Sequence, residues 1–214
     1  MAQSLPQDSS SLRVNLTVMK DLFRLPDNLP VPIDDGGAQH LWNSRLPEIE
    51  LVATDGAKIN LSRLPGTLVL FCYPRTGRPG EPSLVENWDQ IPGARGCTPQ
   101  TCGYRDFYSE LREAGIQHVF GLSTQTPDYQ REAAGRLHLP FPLLSDEHLQ
   151  LTRAMRLPTL NLAGQVLTKR LTLVARASRV LHLFYPVFPP DKDAEHTLSW
   201  VTANQVLVRE GAGS

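Results

Sequence analysis

Cysteine is scarce in this chain, with three in 214 residues, too few for the disulfide framework that braces small secreted domains. Long apolar runs are missing too: none approaches the ~20 residues of a membrane-spanning helix. The first twenty residues, MAQSLPQDSSSLRVNLTVMK, lack the basic start and apolar centre of a secretion signal. Nor is there an excess of one charge. Lysines and arginines number 21 and acids 22, so no broad field is available to hold nucleic acid or an anionic membrane. These absences lead us to expect a cytoplasmic protein without nucleic-acid or membrane partners. They also single out the cysteines, because an intracellular cysteine pair is more often catalytic or metal-binding than structural.

Several motifs are absent as well. There is no C-x-x-C and no H-x-x-x-H, which disfavours both a zinc site and a thioredoxin-style exchange motif. Ser123 in FGLSTQ has no second glycine to make a nucleophile elbow. No G-x-x-x-x-G-K-[ST] loop occurs. We therefore expect neither a metal nor a bound cofactor.

What is present divides in two. Residues 1–44 are rich in turn-formers (Pro26, Pro30, Pro32, Asp34, Asp35, Gly36, Gly37) and read as an extension, in which Leu12, Leu16, Met19 and Phe23 have the spacing of a short docking helix. Residues 45–214 read as one α/β domain. EIELVATDGAKINL suggests two short strands around Asp55 and Gly56, and GTLVLFCYP suggests a central strand covered on both faces, with Cys72 as a small buried residue. Residues 75–96 form a long loop of the kind that often carries function. Tyr104, Phe107, Tyr108, Leu111 and Ala114 then make one helical stripe ended by Gly115. QHVFGLS is a strand, TPDYQREAAGRL a helix capped by Thr126, and FPLLSD a strand. RLTLV and RVLHLFYPVF flank ARAS as an antiparallel hairpin. A closing helix follows from about Asp191, with Ala194, Leu198, Val201 and Gln205 along one side. A mixed sheet between helix layers fits this order.

The remaining two cysteines stand five residues apart in GARGCTPQTCGYRDFY. Thr98 and Pro99 are helix-start residues, which puts Cys97 at a helix amino end, where unpaired N–H groups and the helix dipole favour an anionic sulfur. In an unbroken helix Cys102 would lie about 8.6 Å away between Cα atoms, beyond the ~7 Å that a disulfide spans. If the two pair, the first turn must unwind. Gly103 weakens that turn by about 1 kcal/mol relative to alanine. Two cysteines that merely pack in a core remain an alternative at this point.

GCTPQTCGYRDFYSEL resembles the active-site helix of Q-type peroxiredoxins, the bacterioferritin comigratory proteins. LVLFCYP, LPFPLLSD and KRLTLVARASRVLHLFYPVF extend the resemblance over roughly residues 46–205, in the family's order. It implies a thioredoxin-like fold with a mixed central sheet flanked by helices. It implies a peroxidase in which Cys97 is the peroxidatic and Cys102 the resolving cysteine, joined by an intramolecular disulfide. It further implies a peroxide substrate, a thioredoxin-like reductant and a monomer or homodimer. The family's active-site arginine falls on Arg170. Strand alternation independently turns Arg170 and Thr172 away from the face of Leu171 and Leu173. Arg156 is the runner-up for that role, and Arg105 reads as half of a structural ion pair. The family's proline and threonine, seven and three residues before the cysteine, are replaced here by Gln90 and Ala94. Thr76, with Pro74 beside it, is therefore the expected source of the hydroxyl, and Thr98 a second one. A redox sensor switched by a Cys97–Cys102 disulfide is the alternative function, and an exchange protein for other proteins' disulfides a third.

Overall fold

The computed structural model describes residues 22–209; of the expected docking helix only Phe23 falls within that range, the rest lying outside it. Nine strands and six α-helices are described. A seven-stranded sheet runs in the order β2-β1-β5-β4-β3-β8-β9, built from β1 (Glu50–Ala53), β2 (Lys58–Asn60), β3 (Thr67–Cys72), β4 (His118–Ser123), β5 (Leu143–Ser145), β8 (Leu171–Arg176) and β9 (Arg179–Phe184). Strands β3, β4 and β5 are parallel, and the outer pairings are antiparallel. This is the mixed sheet of the thioredoxin-like class.

The parallel centre follows from the connections. Between β3 and β4 the chain makes α1 (Cys97–Asp106) and α2 (Tyr108–Glu113), and between β4 and β5 it makes α3 (Pro127–Arg136); such crossovers return the strand in the same direction. Thr126 caps α3 by accepting from the Tyr129 N–H, with Pro127 in the first turn, as its sequence suggests.

Strand β3 is buried at every residue, and its alternation divides the core. Leu68, Leu70 and Cys72 face one layer with Leu122, Leu144 and Leu173, together with Ala38 and Leu41 from the chain preceding β1. Val69 and Phe71 face the other with Tyr104, Leu111, Ala133 and Val201. Phe71 stacks on Tyr104 of α1, ring centroids 4.2 Å apart and 7° from parallel. Opposite Phe71 in β4 is Gly121, where a Cβ would come within 2.6 Å of the Phe71 ring. The glycine lets the aromatic pair seat α1 against the sheet.

Three details differ from the sequence reading. The stripe from Tyr104 to Ala114 is two helices, since Phe107 leaves helical geometry at φ −94°, ψ 10°; Gly115 still ends it in the left-handed region at φ 104°. The closing segment begins with a short 3-10 turn, Pro190–Lys192, before α5 (Asp193–Ala203) and α6 (Gln205–Arg209). Helix α4 (Gln150–Met155) and a separate hairpin, β6 (Thr159–Leu162) with β7 (Gln165–Thr168), had no counterpart in the reading. The helix is far shorter than the roughly 11–18 residues over which a helical stripe is read, and the two strands are at the lower limit for reading alternation. The long loop 75–96 carries a 3-10 turn at Trp88–Gln90, and Trp88 and Ala94 pack on Leu167 of β7.

Candidate active site

Cys97 is the first residue of α1. The helix begins two residues earlier than Thr98 as a cap would dictate, because Gly96 takes the cap position at φ 104°, a conformation that L side chains rarely adopt. Thr98 is therefore inside the first turn instead of capping it. A Cβ at position 96 would also meet Pro190 at 2.3 Å and Leu25 at 3.0 Å. Glycine is thus required twice, for its backbone angle and for the closeness of its neighbours.

Opposite the helix start stands Arg170, immediately before β8. Its Nη2 donates to the Cys97 Sγ at 3.3 Å and to the carbonyls of Gly93, Ala94 and Arg95 at 3.2, 3.3 and 3.1 Å. The guanidinium is 3% exposed and the cysteine 4%. Strand alternation does bring Arg170 out of the Leu171–Leu173 layer, and the face it reaches is enclosed by the 93–95 loop. The guanidinium thus sets a positive charge and a hydrogen-bond donor against the sulfur inside a buried pocket. Among the described residues no carboxylate is hydrogen-bonded to Arg170; its Nη1 donates to the Gln100 Oε1. Gln100 in turn donates through Nε2 to the Asp193 carboxylate at 2.7 Å, and burial pushes the Asp193 acid upward.

Cys102 lies one and a half turns along α1 and is 8% exposed. Desolvation raises its thiol, with Arg105 pulling the other way, so in place it is a weak nucleophile. Both thiols are free. The first turn between them is closed by Gln100 N–H to Gly96 O at 3.0 Å and by the Thr101 hydroxyl to Cys97 O at 2.8 Å. Cys72 points into the opposite layer, fully buried, with its thiol also pushed up by desolvation.

A cleft of about 520 Å³ opens over Cys97, walled by Thr76, Thr98, Trp88 and Tyr129 with Arg75, Arg78 and Arg95. Thr76 is buried, and its hydroxyl and N–H both donate to Gln125 Oε1, at 3.1 and 2.9 Å. That hydroxyl is engaged with the loop after β4 and makes no hydrogen bond to Cys97. Thr98, next to the sulfur, has no side-chain partner among the described residues, so its hydroxyl is open to the cleft. Arg156 is exposed at the end of α4. Arg105 binds Asp106 at 2.8 Å, the ion pair its sequence suggests.

Sequence reasoning missed Gln100, Asp193 and Gln125. Gln100 could have been found, since three residues beyond Cys97 it returns to the same helix face. Asp193 had no local signal, because the chain brings it back from the far side of β8 and β9. Among the described residues no helix is long and apolar enough to cross a membrane.

The chain is similar to known proteins over most of its length. Residues 42–198 match the redoxin family model. The chloroplastic peroxiredoxin Q of Gentiana triflora is 26% identical over 206 residues, spanning 94% of this chain and 87% of that relative. The chloroplastic peroxiredoxin Q of Sedum lineare is 31% identical over 154 residues, 71% of this chain and 73% of the relative. Among solved structures, the peroxidoxin BcpB of Mycobacterium tuberculosis superposes with a TM-score of 0.61 at 25% identity, covering 76% of this chain and 97% of that one.

Proposed function

Because the chain belongs to the redoxin family and is a peroxiredoxin of the Q type, a thiol peroxidase, we propose that Cys97 is its peroxidatic cysteine and Cys102 the resolving one. The 3.3 Å contact of Arg170 with the Cys97 sulfur, at the amino end of α1, carries this reading. The thiolate attacks one oxygen of a hydroperoxide. The O–O bond breaks, the departing alkoxide or hydroxide takes a proton and leaves as alcohol or water, and the sulfur, oxidised by two electrons, becomes a sulfenic acid. Arg170 supplies donors both to the thiolate and to the oxygen on which charge develops.

Resolution needs the helix start to move. With α1 intact the two sulfurs are on different turns, so the Gln100–Gly96 and Thr101–Cys97 bonds break as the turn opens. Opening also brings Cys102 to water, which removes the desolvation that weakens it as a nucleophile. Its thiolate then displaces the sulfenic hydroxyl as water, forming the disulfide, and an external dithiol such as thioredoxin returns both thiols. Hydrogen peroxide and organic hydroperoxides are the substrates this chemistry accepts. Thr98 offers the open hydroxyl beside the sulfur, while Thr76 shapes the cleft wall through Gln125.

The reading is tested by mass and thiol counting with one equivalent of peroxide. The expected result is loss of two thiols mapped to Cys97 and Cys102. Cys102→Ser is expected to stop at a sulfenic acid on Cys97, and Cys97→Ser to consume no peroxide. Undiminished turnover in Cys97→Ser would refute the assignment.

A further inference from the structure

Resting on the peroxidase reading, we propose that Asp193 is a positioning residue for Cys97. Its buried carboxylate locks the Gln100 amide in the one orientation that presents oxygen to Arg170, and so holds the guanidinium against the sulfur. A carboxamide has two faces of opposite polarity and nearly identical shape. Turned one way, Gln100 accepts from Arg170; turned the other, its NH2 would confront a cation. Nothing in helix α1 chooses between them.

Asp193 chooses. Its Oδ2 is an acceptor already, taking hydrogen bonds from Gln100 Nε2 and from the Thr172 hydroxyl, each at 2.7 Å. Only the amide's NH2 can therefore face it, which sends Oε1 to Arg170. Thr172 is held in turn by the Tyr104 hydroxyl at 3.3 Å, and that hydroxyl by Thr197 at 2.9 Å. Gln100, Tyr104, Thr172 and Thr197 are all fully buried, and Asp193 is 1% exposed. No water-exposed alternative competes for these groups, so the orientation is imposed through the whole chain of bonds. The arrangement also gives a buried arginine an anion's influence without a direct ion pair, which leaves Nη2 available to the sulfur and the three carbonyls.

The test reads the cysteine itself in the full chain, through the ultraviolet thiolate titration of Cys97 and its alkylation rate at neutral pH in a Cys102→Ser background. Asp193→Ala is expected to slow alkylation about tenfold, the loss of one hydrogen bond to a charged group, and to move the thiolate titration to higher pH. Asp193→Asn, which can still turn an oxygen to both donors, is expected to stay within about threefold. Gln100→Glu removes the donor facing Asp193 and is expected to slow the reaction about tenfold. Combining Gln100→Glu with Asp193→Asn restores a donor–acceptor pair of reversed polarity and is expected to recover most of the rate. This rescue holds its meaning even where Asp193→Ala does not fold. A double variant no faster than Gln100→Glu alone, or a folded Asp193→Ala chain with unchanged titration and alkylation, overturns the proposal. Peroxide consumption by the unaltered chain is measured beside it: rapid alkylation without turnover would sink the peroxidase reading and leave the positioning of Cys97 standing.

Discussion

At the scale of the residue, the arginine beside Cys97 has demands that a lysine does not meet. Arg170 binds a sulfur, three backbone carbonyls and an amide oxygen with a planar set of donors. A lysine ammonium has three donors on a flexible stem. Arg170→Lys is expected to lower kcat/KM for peroxide by about a hundredfold, as losses of donors to developing oxyanions do, measured by coupled thioredoxin and NADPH consumption. The two threonines separate in the same assay. Thr98→Val is expected to reduce the rate about tenfold through loss of a free hydroxyl next to the sulfur. Thr76→Val is expected instead to lower thermal stability, because Gln125 loses a buried donor. Equal kinetic effects of the two would contradict the division. The place of Cys97 at a helix start was legible because Thr98 and Pro99 act over a few residues, whereas Arg170 was singled out by the family resemblance, strand alternation giving only the face it takes. Asp193 was not, because its partner lies 93 residues away and contacts of that range leave no periodic trace.

At the scale of the element, the proposed mechanism asks α1 to be stable enough to hold Cys97 and weak enough to release it. Gly103 sits in its interior with ordinary space around it, a Cβ meeting Ala194 Cβ and Asp191 O only at 3.5 Å. Gly103→Ala is therefore expected to stiffen the helix by up to ~1 kcal/mol. Sulfenic acid formation should be unchanged and disulfide closure about fivefold slower, the fraction by which that stiffening lowers the open population, as read by stopped-flow fluorescence and mass spectrometry. Faster closure would contradict it. Gly121→Ala has the opposite character, since its methyl would strike the Phe71 ring and Leu143 Cδ2 at 2.6 and 2.7 Å. It is expected to cost about 1–3 kcal/mol by overpacking, seen in urea unfolding. The long strands and α3 could be read ahead of the structure because periodicity and caps agree over whole elements. The β6–β7 hairpin could not: its tip, Ala163 and Gly164, combines positive φ angles of 48° and 75° with strands of four residues whose burial does not alternate cleanly.

At the scale of the whole molecule, the chain before β1 is fastened across the active-site helix. Arg95 donates to Arg24 O at 3.3 Å, Leu25 approaches Gly96, and Asp35 binds Lys169 Nζ at 2.6 Å and accepts from the Tyr185 hydroxyl at 2.7 Å. The Lys169 and Tyr185 contacts hold the Asp35 carboxyl well below its ordinary value of 3.8. A depressed acid stabilises the fold above its ordinary value, and that contribution fades as pH falls toward the folded-state value. The pair is exposed, so the effect is a few tenths of a kcal/mol. Asp35→Asn is expected to narrow the difference in urea midpoint between neutral and strongly acidic solution; a wider difference would reverse the sign of this argument. In the proposed mechanism the first turn of α1 moves as the disulfide closes, so limited proteolysis within residues 22–35 is expected to be faster in the oxidised chain than in the reduced one. Cys72, facing the far side of β3, has a use of its own for such experiments. It is a silent internal standard: a maleimide dye added to the native sequence reports on the reactive pair alone, without a background stripped of other sulfurs, and its later arrival at position 72 clocks the opening of the sheet itself.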